Sequence, residues 1–579
     1  MKLLSLSVNK PREIPIPIYV LVVAVLGYVG VEMRYLDWGG VSAFVWPTTE
    51  VFPYLERLTD SNFAPNDFWL NAFSERYQPK HLVPNAVFFL QNLLGFSHYY
   101  DIYFLFKFWI VILHPVAAFC ALATLLPGGL NSLARHTGQA TLVVGVLLLG
   151  APWFWSFVTI AWWPPMKTDV VPATISQVFG FVGIYCYSVC RFRILPILCF
   201  SVSALLHPLV GVSMLALNFC GRSFSVDELK KIFIFVVLVL GAPAILTLSV
   251  NAYDGGLSGA EVYEFVVKNY APFHWKFSDF GTFLGISWWK ISFLNISSLL
   301  VVGSLSLIVN RALKLSFRLA VIGIIVYAVV IVAHYVFVEV LKSKHGIYVA
   351  PIRMVIIVAW IQLLAVASLV SEIIGLISIG PNRQKAWDYF SFLSNSTRFN
   401  KTIVFAITLL FGSLGRFSFI ILCVGIWVRP MIQDDPFDTV PNKTLKTWVM
   451  STDKDAVFLT SPELSEQVLL FGRRSTFNHL IPFNEHKLVE WNERNTILLG
   501  DYDSWKSAAG NDPVIVGKSL GFASLTPSKL VDASRLYQID FIVLLQNAVS
   551  PIAAEFFEEP PIVEIDGQIY IWRLDQFQK

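Results

Sequence analysis

Carboxylates crowd one early stretch of this chain, and cations gather at the edges of its later apolar runs. Glu32, Asp37, Glu50, Glu56, Asp60, Asp67, Glu75 and Asp101 all fall between positions 32 and 101. Trp38, Trp46, Phe68 and Trp69 are interleaved with them. That mixture suits short helices at a membrane surface, with rings at headgroup depth and charges toward water. Asp67 follows the Pro65-Asn66 turn and precedes Phe68-Trp69, so its direction and depth are both constrained. Asp37 lies just past the first apolar run, beside Trp38. A carboxylate in either place suits deprotonation of a sugar or lipid hydroxyl, or the holding of a divalent metal. Helix capping and interfacial solvation are the competing roles for any single one of them.

Lys342, Lys344, His345 and Arg353 cluster at the ends of two adjacent apolar runs. Four potential cations there suit a phosphate or pyrophosphate at a membrane surface. Arg416 lies inside the last apolar run. It is either a functional intramembrane charge or the interfacial anchor of a helix that enters late. His207-Pro208 marks a turn between two short apolar segments. A lone histidine there acts either as a structural hydrogen-bonder or as a catalyst. His274-Trp275 sits in an aromatic loop, placed to stack on a sugar ring or to anchor the loop at the interface.

The elements that carry these residues are mostly membrane segments. Of 579 residues, 55% are hydrophobic and only 14% charged, with a mean hydropathy of +0.61. A soluble protein has about a quarter of its residues charged. Apolar runs near the roughly 20-residue spanning length recur along the chain, which predicts a polytopic all-α transmembrane bundle. About eleven spans are expected, near 14–31, 102–126, 140–160, 171–190, 194–206, 208–220, 232–250, 293–310, 318–340, 350–378 and 402–428. The net charge of +3 gives no reason to expect nucleic acid as a partner. All six cysteines fall inside apolar runs, where they act as small hydrophobes.

The Lys/Arg distribution orients the chain. With the N-terminus cytoplasmic, the short inside loops carry Arg135; Arg191 and Arg193; Arg222, Lys230 and Lys231; Arg311, Lys314 and Arg318; and Arg383, Lys385, Arg398 and Lys401. This assignment needs a chain reversal at His207. The loops 32–101, 161–170, 251–292 and 341–349 then lie outside, together with everything after about 430.

The chain divides into a membrane domain, 1–429, and a small soluble α/β domain, 430–579. In the latter, helices are expected at 444–450, 487–494 and 528–537, and buried strands at 456–460 and 541–545. A hairpin is expected at 562–572 around Asp566-Gly567. This domain has no glycine-rich phosphate loop and no G-x-S-x-G nucleophile motif.

Three phrases resemble the GT-C class of membrane glycosyltransferases: DSNFAPNDFW at 60–69, ALLHPLVG at 204–211, and STDKDAVFLT at 451–460 with WNER at 491–494. The W-W-D-Y-G signature of the oligosaccharyltransferase subfamily is not present. The resemblance implies a GT-C-like bundle in a bacterial plasma membrane and a polyprenyl-phosphate-linked sugar as donor. It also implies an extracytoplasmic glycan or lipid as acceptor. Carried over, Asp67 or Asp37 is the base or metal ligand, and Lys342, Lys344, Arg353 and Arg416 hold the donor phosphate. A transporter or lipid flippase is the alternative, as is a non-catalytic protein of envelope-polymer assembly. A transporter should show broken helices in corresponding halves. Only 194–220 looks broken.

Overall fold

The computed structural model describes residues 52–64, 67–74, 81–96, 99–126, 172–189, 194–220, 226–250, 256–270, 272–279, 288–310, 314–378, 440–460, 464, 468–469, 471–475, 485–510, 527–545 and 560–574. The runs expected at 14–31, 140–160 and 402–428, with Asp37 and Arg416, lie outside the described residues. The first described elements are α1 (Phe52–Thr59), α2 (Phe68–Ser74), α3 (Leu82–Leu94) and α4 (Tyr99–Leu125). Arg57 ties α1 to the start of α2. Its Nε donates to Phe63 O at 2.7 Å, its Nη1 to Asn71 Oδ1 at 3.0 Å, and its Nη2 to Ala64 O. One guanidinium thereby fixes the turn between the two helices.

Next come α5 (Pro172–Val189), α6 (Ile194–Leu206) and α7 (Pro208–Phe219). In one straight helix, residues seven apart would be about 10 Å apart along the axis. Instead, a Cβ built on Gly211 would lie 2.4 Å from Ala204 Cα. The chain therefore reverses between them, and α6 and α7 form a close-packed hairpin. His207, extended at φ −154°, makes the turn, and its Nδ1 accepts the Val210 N–H at 3.4 Å. The reversal required by the Lys/Arg distribution is thus present. Each arm is only about 20 Å long, short of the roughly 30 Å hydrocarbon core. Ser176 and Ser203 exchange hydroxyl-to-carbonyl bonds at 2.7 Å each way, locking the start of α5 to the end of α6.

Then follow α8 (Val226–Val250), α9 (Gly259–Val262) with a π-helical continuation (Tyr263–Tyr270), and α10 (Pro272–Trp275). Beyond them lie α11 (Trp288–Asn310), α12 (Leu315–His334) with a π-helical extension (Tyr335–Val340), α13 (Lys344–Val349) and α14 (Val355–Ser378). Three stretches among the described residues are long and apolar enough to cross a membrane: Trp288–Val309, Leu315–Val340 and Lys344–Val370. The expectation of about eleven spans is not met among them. Two of the expected spans are the short hairpin arms, three fall outside the described residues, and those at 102–126, 171–190 and 232–250 form α4, α5 and α8, which are not among the three stretches.

Polar side chains join the three stretches, as expected where lipid supplies no hydrophobic drive for helix association. Gln362 on α14 donates to Asn295 Oδ1 on α11 at 2.9 Å, and Tyr327 on α12 donates to Ser292 Oγ at 2.7 Å. At the other end of the bundle, Glu372 accepts from Ser316 Oγ at 2.7 Å and Ser316 N at 3.3 Å. It caps the N-terminus of α12 from a neighbouring helix, where a negative charge is favoured. Outward-facing Ile234, Phe293, Val329 and Val332 remain exposed, in keeping with a lipid-facing surface.

The C-terminal part is a three-layer α/β/α unit. Its elements are α15 (Val440–Ser451), β1 (Val457–Thr460), β2 (Arg474–Ser475), α16 (Glu485–Leu499), α17 (Tyr502–Ala509), α18 (Pro527–Tyr537), β3 (Phe541–Leu545), β4 (Val563–Ile565) and β5 (Ile569–Arg573). The sheet order is β2-β1-β3-β5-β4, with β1 parallel to β2 and β3, and β5 antiparallel to β3 and β4. Alternation divides the strands between two cores. Val457, Leu459, Ile542 and Leu544 face α16 and α17, whereas Phe458 and Val543 face α15.

The close approach at Gly211 has a measurable consequence. Gly211→Ala places a methyl against backbone, and overpacking of that kind costs about 1–3 kcal/mol. Gly241→Ala, in α8 with nothing within 4 Å of the new methyl, should be neutral or slightly stabilising. Unfolding midpoints of the two purified variants should move in opposite directions or differ clearly.

Candidate functional site

One end of the bundle gathers the π-helical segment 263–270, the 341–354 connection and the face of α16. Val262, Tyr263, Val266, Val267, Trp275, Val338, Ile347, Leu488 and Trp491 form one buried cluster there, with Phe68 packed against it. Four separate regions of sequence thus meet at one junction. Leu469 adds a second contact, packing with Tyr54, Trp69 and Leu70 of the first loop.

Trp275 is the keystone. Its Nε1–H donates to Ile347 O at 3.0 Å, and its carbonyl accepts from His334 Nε2 at 2.7 Å. His334 Nδ1 in turn accepts the Ile352 N–H at 3.4 Å, which assigns the proton to Nε2. Arg353 lies with its guanidinium carbon 4.8 Å from the centre of the Trp275 ring. That cation–π contact holds a charge at the very start of α14.

Two tyrosine–carboxylate pairs flank the keystone. Tyr263 Oη donates to Glu339 Oε2 at 2.7 Å, while Glu339 Oε1 accepts the Phe277 N–H at 2.8 Å. Tyr502 Oη donates to Asp279 Oδ2 at 2.8 Å, and Ser278 Oγ donates to the same oxygen at 2.7 Å. Burial first, and then the carboxylate partner, raises both phenols well above the ordinary tyrosine value. Each ring also carries an ammonium. Lys342 Nζ lies 5.0 Å from the Tyr263 ring centre and Lys276 Nζ 3.8 Å from that of Tyr502. Burial pushes the Lys276 ammonium down, against the pull of Asp279 in the other direction.

Backbone geometry places these cations. Lys342 and Ala350 have positive φ, 45° and 48°, bracketing α13. Such a conformation is costly for residues with a Cβ and persists only where surroundings impose it. Gly259 is part of that imposition, since a Cβ on it would lie 2.1 Å from the Lys342 carbonyl oxygen. Both π-helical stretches end in this junction, in keeping with the concentration of π-bulges at functional sites.

The residues singled out from the sequence fare differently. Arg353 and the segment carrying His274 come together at Trp275, and Lys342 lies over Tyr263 of the same buried cluster; the His274 side chain itself lies outside the described residues. Lys344 belongs to the same junction but is engaged elsewhere. Its Nζ meets Glu485 Oε1 at 2.6 Å and donates to Leu257 O at 3.3 Å. The hairpin that carries His207 packs through Val210 into the cluster containing Ile352, beside the Arg353 turn. Asp67 is 1% exposed, and its Oδ1 accepts the Leu70 N–H at 2.8 Å. It is the N-cap of α2, and burial pushes the nearby Arg57 guanidinium's pKa down, against the pull of the Asp67 charge in the other direction. α2 in turn presents Phe68 beneath Arg494 and Lys487, 4.4 and 5.4 Å from the ring centre.

Sequence reasoning missed Glu339, Asp279, Tyr263 and Tyr502. Glu339 had a signal, as a carboxylate within the run 318–340. Asp279 and the tyrosines had none, because only the folded chain brings 502 to 279. Among the described residues, no group of three or more His, Cys, Asp or Glu is arranged to hold a metal ion. No protein-family model matches this chain, and no curated protein matches it in sequence.

The Lys344–Glu485 pair joins the C-terminal unit to the bundle, and Glu485 is 3% exposed. Lys344→Met leaves that carboxylate buried without its partner, a loss on the order of 3 kcal/mol. Limited proteolysis of the bilayer-reconstituted protein should then release the C-terminal unit faster. Lys344→Met combined with Glu485→Met should recover most of the resistance. Equal proteolysis of wild type and Lys344→Met would show that the pair does not hold the junction.

Proposed function

We propose that this chain is a polytopic membrane glycosyltransferase. It moves a sugar from a polyprenyl-phosphate-linked donor to an extracytoplasmic glycan or lipid acceptor. The observation that carries this reading is the junction itself, where Lys342 and Arg353 cap the ends of apolar helices over aromatic rings. A lipid-linked phosphate keeps its chain in the bilayer and its charge at the surface. Cations at helix ends match that geometry, and a ring beneath each one limits its solvation. The C-terminal unit covers the same end through α16 and Tyr502, so it is placed to present or enclose an acceptor. The GT-C resemblance of the three sequence phrases points the same way.

Asp67 remains the first choice of base, with Asp37 second. Asp67 is enclosed and engaged as a cap. In this reading an acceptor hydroxyl reaches it only when α2 lifts from Arg494 and Lys487. Asn caps a helix about as well as Asp, so Asp67→Asn separates the cap from the base. The variant should keep the wild-type unfolding midpoint and lose about 10²–10⁴-fold in transfer rate. Arg353→Gln should weaken donor binding by about 10–100-fold, the worth of one charge-assisted hydrogen bond of roughly 1.5–3 kcal/mol. Both are read with radiolabelled polyprenyl-phosphate sugar in nanodiscs. Full turnover by Asp67→Asn and Asp37→Asn alike would remove the first-loop base and favour transport.

Orientation has its own test. Lys454 is exposed on the C-terminal unit. In a background without the native cysteines, Lys454→Cys should react with a membrane-impermeant thiol reagent on intact cells. Labelling only after lysis would put the junction on the cytoplasmic side.

A further inference from the structure

Inside the bundle, below the junction, lies a layer of polar groups with no part in the proposed transfer reaction. His114 Nε2 bonds Gln177 Oε1 at 3.0 Å between α4 and α5. Its ring centre is 6.0 Å from that of Phe181, which meets Trp360 of α14 edge-on at 4.9 Å. Thr174 precedes Gln177 by one helical turn on the same face. Thr174, Gln177 and Trp360 are each 0% exposed. Yet Thr174 Oγ1, Gln177 Nε2 and Trp360 Nε1 have no hydrogen-bond partner among the described residues.

An unmet buried polar atom costs about 1–3 kcal/mol. Three such atoms lie around one histidine–glutamine pair, and buried polar groups of a protein interior are ordinarily paired or bound to something. Two of the three are nitrogen donors. The missing partner must therefore supply acceptor oxygens. The described residues around the layer carry no charge to offset a phosphate, and an unpaired anion is the costliest group to bury. A hydroxyl is far cheaper and can both donate and accept.

Depth identifies the kind of molecule. Trp360 stands seven residues after Arg353, about 10 Å farther along α14. Ser176 and Ser203, paired beside the His207 turn, put the start of α5 at the same end. Among the described residues the layer is buried, with Phe181 and Ile184 in the apolar cluster that holds Trp360. We infer that His114, Thr174, Gln177 and Trp360 form a site for the uncharged, hydroxyl-bearing head of an amphiphile that enters from the bilayer. Gln177 and Trp360 donate to its oxygens, and Phe181 packs against its carbon skeleton. Binding needs no turnover, so this site stands or falls independently of the transfer reaction.

The test uses the full chain in nanodiscs and three probes with one alkyl chain: octyl glucoside, octyl phosphate and octanol, each below its micelle concentration. Octyl glucoside should raise the unfolding midpoint saturably and show saturation transfer to its ring protons. Octanol, with a single hydroxyl, should do so more weakly, and octyl phosphate should not. Trp360→Phe keeps an aromatic ring, a smaller one, and removes the N–H. It should weaken octyl glucoside binding about 3–10-fold, as loss of one hydrogen bond predicts. Thr174→Val should act in the same direction, and it keeps the proposal falsifiable if Gln177→Leu fails to fold. Equal responses to all three probes, or unchanged affinity in both Trp360→Phe and Thr174→Val, would overturn the site. A layer holding water alone would give no saturable response to octyl glucoside, and that result also overturns it.

Discussion

Glu485 and Lys344 set the terms for the rest of the molecule. Each charge gives up most of its hydration to meet the other, at 2.6 Å, across the seam between the C-terminal unit and the bundle. The attraction repays that loss only when the two surfaces are in register, so the pair contributes specificity more than strength. Around it the seam is apolar, with Trp491 edge-on to Tyr270 at 5.6 Å and Leu488 in the same cluster. Asn269 completes the register. Its amide donates to Asn492 Oδ1 at 2.9 Å, and its Oδ1 accepts the Tyr502 N–H at 3.2 Å. A unit held this way cannot slide without losing several directional bonds together. Everything the junction does chemically presumes that fixed seam.

The fixed seam explains the division of labour among the cations. Lys344 is committed to Glu485, and Lys268 to Glu264 at 2.9 Å. Lys342 and Lys276 instead lie over tyrosine rings whose hydroxyls are bound to carboxylates. A phenol that donates to a carboxylate is more electron-rich, which strengthens the ring's hold on a cation. The arrangement keeps positive charge near the junction without neutralising it in a direct ion pair. Carboxylate and ammonium communicate through the ring, and the ammonium keeps its donors for another partner.

How much of the fold and site was legible depends on the length scale of each signal. The strand pair 563–565 and 569–573 was readable because Asp566-Gly567 is a local turn signal between alternating residues. Buried strands such as Phe541–Leu545 were readable from their uninterrupted apolar side chains. The hairpin at His207 was readable only jointly, from two short apolar segments and the requirement on loop charge. Asp67 drew attention for the right local reason and a different outcome. The turn before it does fix its direction, but toward the Leu70 amide as a cap. Glu339, Asp279 and Glu485 acquire their roles from partners 76, 223 and about 140 positions away, a separation no local pattern encodes. Lys344 illustrates the same limit, because an excess of cations on one loop does not reveal which of them a distant carboxylate will take.

Helix length places the junction relative to a bilayer. Leu315–Val340 has 26 residues, about 39 Å at the α-helical rise, against a hydrocarbon core of about 30 Å. The excess of roughly 9 Å matches the six residues of the π-helical extension. If its N-terminal end, where Glu372 caps Ser316, sits at one interface, then Tyr335–Val340 emerges at the other. Glu339 then stands at headgroup depth, where a carboxylate is tolerated and where Tyr and Trp rings concentrate. Lys342 follows the end of one span, and Arg353 stands in the turn that leads into α14. Trp360 and Gln177 lie a turn or two deeper, in hydrocarbon. The bundle therefore offers charge at its end and uncharged hydrogen-bonding groups about two turns beneath it.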